Sequence, residues 1–562
     1  MDTNCNIAQV LAEAARNQPE AIALVAKEGR HWQRYSFAEL SSRSLQLAGM
    51  LNHAGLRQGE RVILMVRPSL DFVALTFALF HLGAVIILID PGMGYRNLKR
   101  CIRAVQPEVL IGVGRAIVFS RLFPAVFASL RKRIAVSGWV PGCDRLQHLT
   151  EAPAPPAFAA SKDELAAVIF TTGSTGPPKG VHYTHGIFHT QLQLIRDYYG
   201  IGPGDTDQPG FTLFGLFSTA LGAKAVLPDM DPTRPAEVDP RKFVASILAE
   251  KVSYSFGSPA IWRVVSRYCL EHQQPLPLDT VLMAGAPVSG ELLADMQKIL
   301  PAKARIFTPY GATESLPVAS IEAREVVGGR EVAGTWEQTR QGRGYCVGRP
   351  LPGMDVRIIA VAEGEIAAWS EVRELPAESI GEIVVRGPVV TPAYDHNEAE
   401  TRRAKIASAD GLGLWHRMGD MGYLDGEGRL WFCGRKGHRV LTANGPMYSV
   451  CCEAIFNEHP LVRRSALVGI GPANAQTPVM VVELLGKGTT RGKAAADFQE
   501  ELTQLAQSSE LTRGICHFLI HPSFPVDIRH NAKIFREQLA IWAVQQLPEL
   551  AASAGANRHS LS

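Results

Sequence analysis

The run FVALTFALFHLGAVIILID, from Phe72 to Asp90, has no acidic residue, lysine or arginine before its last position. Two environments take such a run. One is a bilayer, which needs roughly 18 to 20 apolar residues in one helix. The other is the inside of a layered domain. His81 and Gly83 divide the run; the part before them is rich in Ala, Leu and Phe, and AVIILID after them is β-branched. That change of texture predicts a helix, a glycine turn and a parallel strand buried on both faces, and no transmembrane segment.

Other stretches point to the same architecture. SFAELSSRSLQLAGMLNHAGL and HGIFHTQLQLIRDYYG read as helices, and RVILMV, ELAAVIF, AKAVLP and YSFGSP as strands. The alternation predicts the α/β class, with a large multi-layer N-terminal domain over residues 1–434. After RLWFCGRKG the texture changes, and residues 435–562 suffice for a small, mobile C-terminal α+β domain. EAPAPPAFAASKDE reads as a connector, and EAREVVGGREVAGTWEQTRQGRG as a polar, Gly-rich surface loop or hairpin.

Composition narrows the function. The net charge is +3, from 57 basic and 54 acidic residues, and no dense basic patch interleaves with aromatics, so no nucleic-acid partner is expected. The nine cysteines form no CxxC pair, and Cys451 and Cys452 are adjacent, a poor spacing for a metal. Free thiols in a reducing cytoplasm are expected. The start MDTNCNIAQVLAEAARNQPE carries early acids and no long apolar run, unlike a signal peptide.

The stretch TTGSTGPPKG, Thr171 to Gly180, combines backbone-exposing glycines, hydroxyls and a lysine. It departs from a Walker loop, because Pro178 stands at the second Gly and Gly180 at the Mg²⁺-binding Ser/Thr. The pieces still suit phosphate: Gly173 and Gly176 for close approach, Thr171, Thr172, Ser174 and Thr175 as donors, and Lys179 for charge. The helix after the loop is expected to add its dipole.

Four further stretches follow in order: MAGAPVSGEL, PYGATES, MGDMGYLDGEGRLWFCGRKG and DIRHNAKIFRE. Together with the loop they resemble the signature stretches of the ANL superfamily of adenylate-forming enzymes, from about residue 5 to 540. The resemblance implies that family's two-domain acyl-CoA synthetase-like fold, with residues 435–562 as the lid, and ATP and Mg²⁺ as cofactors. It implies that Gly285, Ala286 and Pro287 contact adenine and that Tyr310, followed by Gly311, stacks on it. It gives Asp420 the ribose hydroxyls with Arg435 nearby, Thr313 the α-phosphate, and Glu314 the metal. Lys533 resembles the lysine that meets the substrate carboxylate and the α-phosphate; Ala532 replaces the usual Gly before it, and Pro525 lies further upstream than usual.

The reaction so implied is attack of a carboxylate on the α-phosphorus of ATP, giving acyl-AMP and pyrophosphate. GFTLFGLFSTALGAKAVLP, where amino-acid-activating relatives keep an acid, has none before Asp229. Phe211, Phe214 and Phe217 therefore predict an apolar pocket for an alkyl or fatty acid. CoA ligases of the family continue after Arg435 with a hinge residue and a Gly-Gly pair along the pantetheine route. Here the hinge is Gly437, His438 follows, and Ala443 and Asn444 replace the glycines. PDMDPTRPAEVDP, GSPAIW, YGATESLPVA and PVDIRHNAKIFRE resemble one branch, the β-lactone synthetases of long-chain olefin biosynthesis. This implies a hydrophobic 2-alkyl-3-hydroxyalkanoic acid whose own hydroxyl displaces AMP; a fatty acyl-CoA ligase is the alternative. His182 and His185 are candidate bases, and a poorly soluble substrate points to assembly with other olefin-pathway enzymes.

Overall fold

The computed structural model describes residues 4–29, 31–138, 140–170, 177–329, 333–486, 493–526 and 534–550. Thr171, Thr172, Gly173, Ser174, Thr175, Gly176 and Lys533 lie outside the described residues.

The apolar run divides as its texture predicts. Helix Leu70–His81 starts at Ser69, whose side chain accepts from the Phe72 amide, and the chain turns at Gly83 (φ 69°) into strand Val85–Leu88. That strand pairs in parallel with Arg61–Met65 on one side and Leu165–Phe170 on the other. A Cβ at Gly83 would lie 2.7 Å from the Phe158 ring, so the turn needs glycine for space as well as for φ. No helix among the described residues is long and apolar enough to cross a membrane.

These strands belong to a seven-stranded sheet. Its last member, Gly180–Thr184, runs antiparallel to Leu165–Phe170, with Phe170 opposite Gly180. The phosphate-loop stretch is thus the connection of a β-hairpin. Helix His185–Tyr199 begins only at the far end of that strand, roughly 16 Å from Lys179 at about 3.3 Å per residue. A helix field fades within its first turn, so the expected dipole contribution at Lys179 does not hold.

A second sheet, of 14 strands, carries the rest of the cleft. Its centre is parallel through Lys224–Val226, Thr206–Asp207, Tyr254–Gly257, Thr280–Met283 and Arg305–Ala312. It continues antiparallel through Ser315–Glu322, Tyr345–Pro350, Leu430–Arg435 and Leu414–Leu424. The stretch after Glu322, expected as a loop or hairpin, contains helices Ala323–Val327 and Thr335–Gln338 on either side of an antiparallel Gly328–Ala333 bridge. Its few apolar residues decide this: Val326 is buried, and Val327 and Trp336 pack on the same core.

Beyond Arg435 a three-stranded sheet, Val462–Ile470, Thr477–Leu484 and His517–Ile520, packs with helices Ser449–Phe456, Lys493–Gln507 and Arg536–Gln546. Two apolar clusters built within residues 440–550 fill it. All nine cysteines are free, and only Cys143 and Cys516 are not buried.

Candidate active site

One cavity of about 2680 Å³ opens beside both large sheets. Every described residue expected to bind nucleotide, metal or the acyl chain lines it: Lys179 and Glu314 at one end, Tyr310, Asp420 and Arg435 at another, and the three phenylalanines at a third. Gly285, Ala286, Pro287, Gly311, Thr313 and Gly437 are also on its wall.

The polar end around Asp420 is set by strand register. Leu414–Leu424 and Leu430–Arg435 pair antiparallel and place Asp420 opposite Arg435. Arg435 Nη1 lies 2.9 Å from Asp420 Oδ1, and the Tyr310 hydroxyl donates to Oδ2 at 2.6 Å. Burial, then the charge of Asp420, pushes the Tyr310 hydroxyl far above its ordinary pKa. Both oxygens of the Asp420 carboxylate are thus engaged, one by Arg435 and one by Tyr310, and the residue lines the cavity. Nearby, the chain leaves strand Thr280–Met283 and turns at Gly285 (φ 97°), exposing the backbone of Ala286 and Pro287.

At the second end Lys179 Nζ contacts Glu400 Oε2 at 2.5 Å and lies 5.0 Å over the Tyr394 ring. The Tyr394 hydroxyl donates to Glu314 Oε1 at 2.8 Å, and the Glu314 carbonyl accepts from the Thr391 amide and hydroxyl. The Tyr183 hydroxyl donates to the Thr313 carbonyl at 2.6 Å. The Lys179 hydrogen bond, partly opposed by burial, holds the Glu400 carboxyl below its usual range. Sequence reading missed Tyr394 and Glu400. They sit more than 200 residues from Lys179 in AYDHNEAE, which has no motif of its own.

The third end is apolar. Phe214 stacks on Phe256 with centroids 3.9 Å apart, and Phe211 and Phe217 flank Phe214. An acid does reach this wall, three residues before the acid-free stretch: Asp207. Burial pushes its carboxyl up to about 8, against the hydrogen bond from Ser218. At neutral pH it is mainly the neutral acid, a poor partner for a substrate ammonium.

The two candidate bases are elsewhere. His182 Nε2 pairs with Asp395, which Arg61 also grips with two nitrogens, and His185 packs against Phe80 and Phe158. Burial lowers the His185 pKa to about 4, with Glu164 pulling it back. Neither ring lines the cavity. His185 is a core residue and the half-buried His182 is held by Asp395, away from the cavity, correcting the expectation that one of them acts as a base.

At the hinge, Gly437 lies in the turn Lys436–His438, and Lys436 Nζ sits 3.1 Å from the buried Glu382. Ala443 and Asn444 form the exposed tip of the hairpin between Val440–Thr442 and Gly445–Met447. Ile534 and Arg536, flanking the undescribed stretch that holds Lys533, line the cavity, and Arg536 is anchored to the buried Glu453 at 2.6 Å.

Residues 11–395 match the AMP-binding enzyme family. The chain belongs to it. Among relatives of this AMP-binding enzyme is the olefin beta-lactone synthetase of Xanthomonas campestris pv. campestris. It is 45% identical over 97% of this chain and 99% of its own. The olefin beta-lactone synthetase of Stenotrophomonas maltophilia K279a is 44% identical over 98% and 100%. Among solved structures, the O-succinylbenzoate coenzyme A synthetase MenE from Bacillus subtilis, in complex with ATP and magnesium ion, shares the fold. It aligns with TM-score 0.72 and 20% identity over 94% of this chain and 98% of that one. The AMP-binding enzyme described here therefore has the adenylate-forming fold.

Proposed function

We propose that the chain activates a 2-alkyl-3-hydroxyalkanoic acid with ATP and closes it to a β-lactone, releasing AMP and pyrophosphate, in olefin hydrocarbon biosynthesis. The likeness to a named olefin beta-lactone synthetase over 97% of the chain carries this reading. The cavity supplies the means, since the polar ends and the phenylalanine end are walls of one space.

Asp420 takes the ribose hydroxyls, while Tyr310 and the turn at Gly285 flank adenine. Lys179, with the loop before it, holds the β- and γ-phosphates. Among the described residues no group of three acidic, His or Cys side chains is arranged to hold a metal alone. The half-buried Glu314 carboxylate on the cavity wall, one oxygen of which accepts from Tyr394, suits Mg²⁺, which is commonly held by one or two carboxylates plus substrate phosphates. When bound, Mg²⁺ offsets charge on the departing pyrophosphate. Residues 435–562 act as a lid turning at Gly437 and bringing Lys533 to the carboxylate and the α-phosphate. Removing that charge, as in Lys533→Ala, lowers adenylation by roughly 10² to 10³, by analogy with single oxyanion donors.

Ring closure needs no external nucleophile, and holding the hydroxyl near the acyl carbon gives it a large effective concentration. The test supplies ATP, Mg²⁺ and a 2-alkyl-3-hydroxy acid without CoA. The expected result is AMP with a product lighter than the acid by one water. AMP formed only when CoA is added overturns the reading in favour of an acyl-CoA ligase.

A further inference from the structure

The cavity runs along the carboxyl ends of three neighbouring parallel strands of the seven-stranded sheet, Arg61–Met65, Val85–Leu88 and Leu165–Phe170. Successive residues of a strand point to opposite faces of its sheet. Leu88 and Ile169 pair in register, and both pack with the core cluster that also holds Phe217. The residues after them, Ile89 and Phe170, pack with Met65 in the cluster on the other face. All six line the cavity. The cavity therefore reaches both faces of the sheet around one edge.

The phenylalanine end, through Phe217, belongs to the first face. The second face has an apolar wall of its own. Helix Tyr95–Val105 gives it Leu98 and Cys101, and helix Gly114–Leu122 gives it Phe119. These three pack in the same cluster as Ile89 and Phe170. Val118 and Leu122 continue the wall outward at 44% and 69% exposure, and the Tyr95 ring stands 6.0 Å from that of Phe119. Single exposed apolar side chains are ordinary on a protein surface; these extend the wall of a cavity. Among the described residues that the two helices give this wall, only Arg100 and Arg115 are charged, and both are exposed.

Both walls start at the phosphate end. Phe170 is the last residue before the phosphate loop and stands opposite Gly180, next to Lys179. From Phe170 the second wall crosses to Val113, at the end of strand Val109–Val113. Three strand spacings make that roughly 14 Å, and the helix carrying Phe119 and Leu122 follows directly.

A 2-alkyl-3-hydroxy acid carries two chains on adjacent carbons beside its carboxyl group. We propose that this substrate straddles the sheet edge. One chain lies against the phenylalanines, and the other lies on the opposite face, along Met65, Ile89 and Phe170 toward Phe119 and Val118. The second wall is thus a subsite for an alkyl chain, and it favours two-chained acids over straight ones, which leave it without an apolar occupant. This inference rests on the β-lactone reading above.

Two series of 2-alkyl-3-hydroxy acids test it by ATP–pyrophosphate exchange. One is lengthened at the 2-alkyl group and the other at the 3-position, each with methyl at the remaining site. In wild type the half-saturating concentration is expected to fall about fourfold per buried methylene in both series. Ile89→Asn and Val118→Glu are expected to flatten one series and to leave the other series and the shortest acid as in wild type. The effect of Val118→Glu should begin at longer chains than that of Ile89→Asn. Melting curves check folding, and the exposed position of Val118 lets Val118→Glu decide if Ile89→Asn does not fold. Wild type in which lengthening only one chain helps overturns the second subsite. So do folded variants that leave both series unchanged, flatten both alike, or weaken the shortest acid as much as the longest. Wild type that exchanges pyrophosphate with none of these acids, or forms no lactone from them, removes the underlying reading instead, which keeps the two failures apart.

Discussion

Replacing Asp420 with Asn keeps the shape of the side chain and removes its charge. In the free protein the carboxylate accepts the Tyr310 hydroxyl at 2.6 Å and faces Arg435 at 2.9 Å, with its own side chain only 4% exposed. Hydrogen bonds to a charged group contribute about 1.5 to 3 kcal/mol, against about 1 for neutral ones. The amide also places an NH₂ where one of the two donors, Tyr310 or Arg435, now points. Breaking a buried pair costs about 3 to 5 kcal/mol, but water reaches Arg435, whose side chain is 32% exposed. About 2 kcal/mol is the reasoned loss of stability. On ATP the effect is separate. Loss of charge-assisted bonds to the ribose, about 1.5 to 3 kcal/mol, weakens binding roughly ten- to a hundredfold. Calorimetric titration with ATP checks this for Asp420→Asn, Tyr310→Phe and the double variant. Tyr310→Phe alone is expected to cost about 1 kcal/mol, and the double variant less than the sum, because the hydroxyl acts through the carboxylate. Asp420→Asn binding ATP within twofold of wild type would refute the ribose assignment. Strict additivity would refute the coupling through Tyr310.

Tyr394→Phe removes the donor on Glu314 Oε1; partners behind a metal ligand commonly matter by 10- to 100-fold, so half-saturating Mg²⁺ in pyrophosphate exchange should shift about tenfold. Glu382→Gln strips a buried carboxylate from Arg417 at 2.7 Å and Lys436 at 3.1 Å; the expected loss is about 3 kcal/mol, read as a lower melting temperature with an unchanged far-ultraviolet spectrum. Asp207 keeps its proton up to about 8 when folded and only to about 3.9 when unfolded. Between those values the folded chain binds more protons, so this group makes stability fall as pH rises and level off above 8. Asp207→Asn should flatten that slope in denaturant titrations run from pH 5 to 8; an unaltered slope would count against the buried acid.

What the sequence made legible follows the range of the forces involved. The run from Phe72 to Asp90 showed its helix and strand because local propensity and burial agree there. Ser36 and Glu39 close a capping box at the start of helix Phe37–His53, which is why its beginning could be read from SFAEL. The strand Gly180–Thr184 was not legible: it is five residues long and borders the loop and a helix, so its pairing with Leu165–Phe170 is a tertiary fact. The same holds for the site. Asp420, Arg435 and Glu314 stand within recognisable stretches. Tyr394 and Glu400 act through partners far along the chain, Glu314 and Lys179, and Asp207 owes its neutral form to burial, which no short window of sequence reports.

The Lys179–Glu400 contact changes how ATP enters. On the proposed reading the incoming triphosphate does not meet a bare cation; it exchanges with a resident anion. The electrostatic gain is net of the carboxylate it evicts, and Arg403, 3.1 Å from the other Glu400 oxygen, is at hand to keep the evicted group. A ligand with few charges gains little from that trade, and a polyanion gains more. Glu400 thereby sets a threshold that favours triphosphate over monophosphate at the entrance. It also offers Lys179 a replacement partner when pyrophosphate departs.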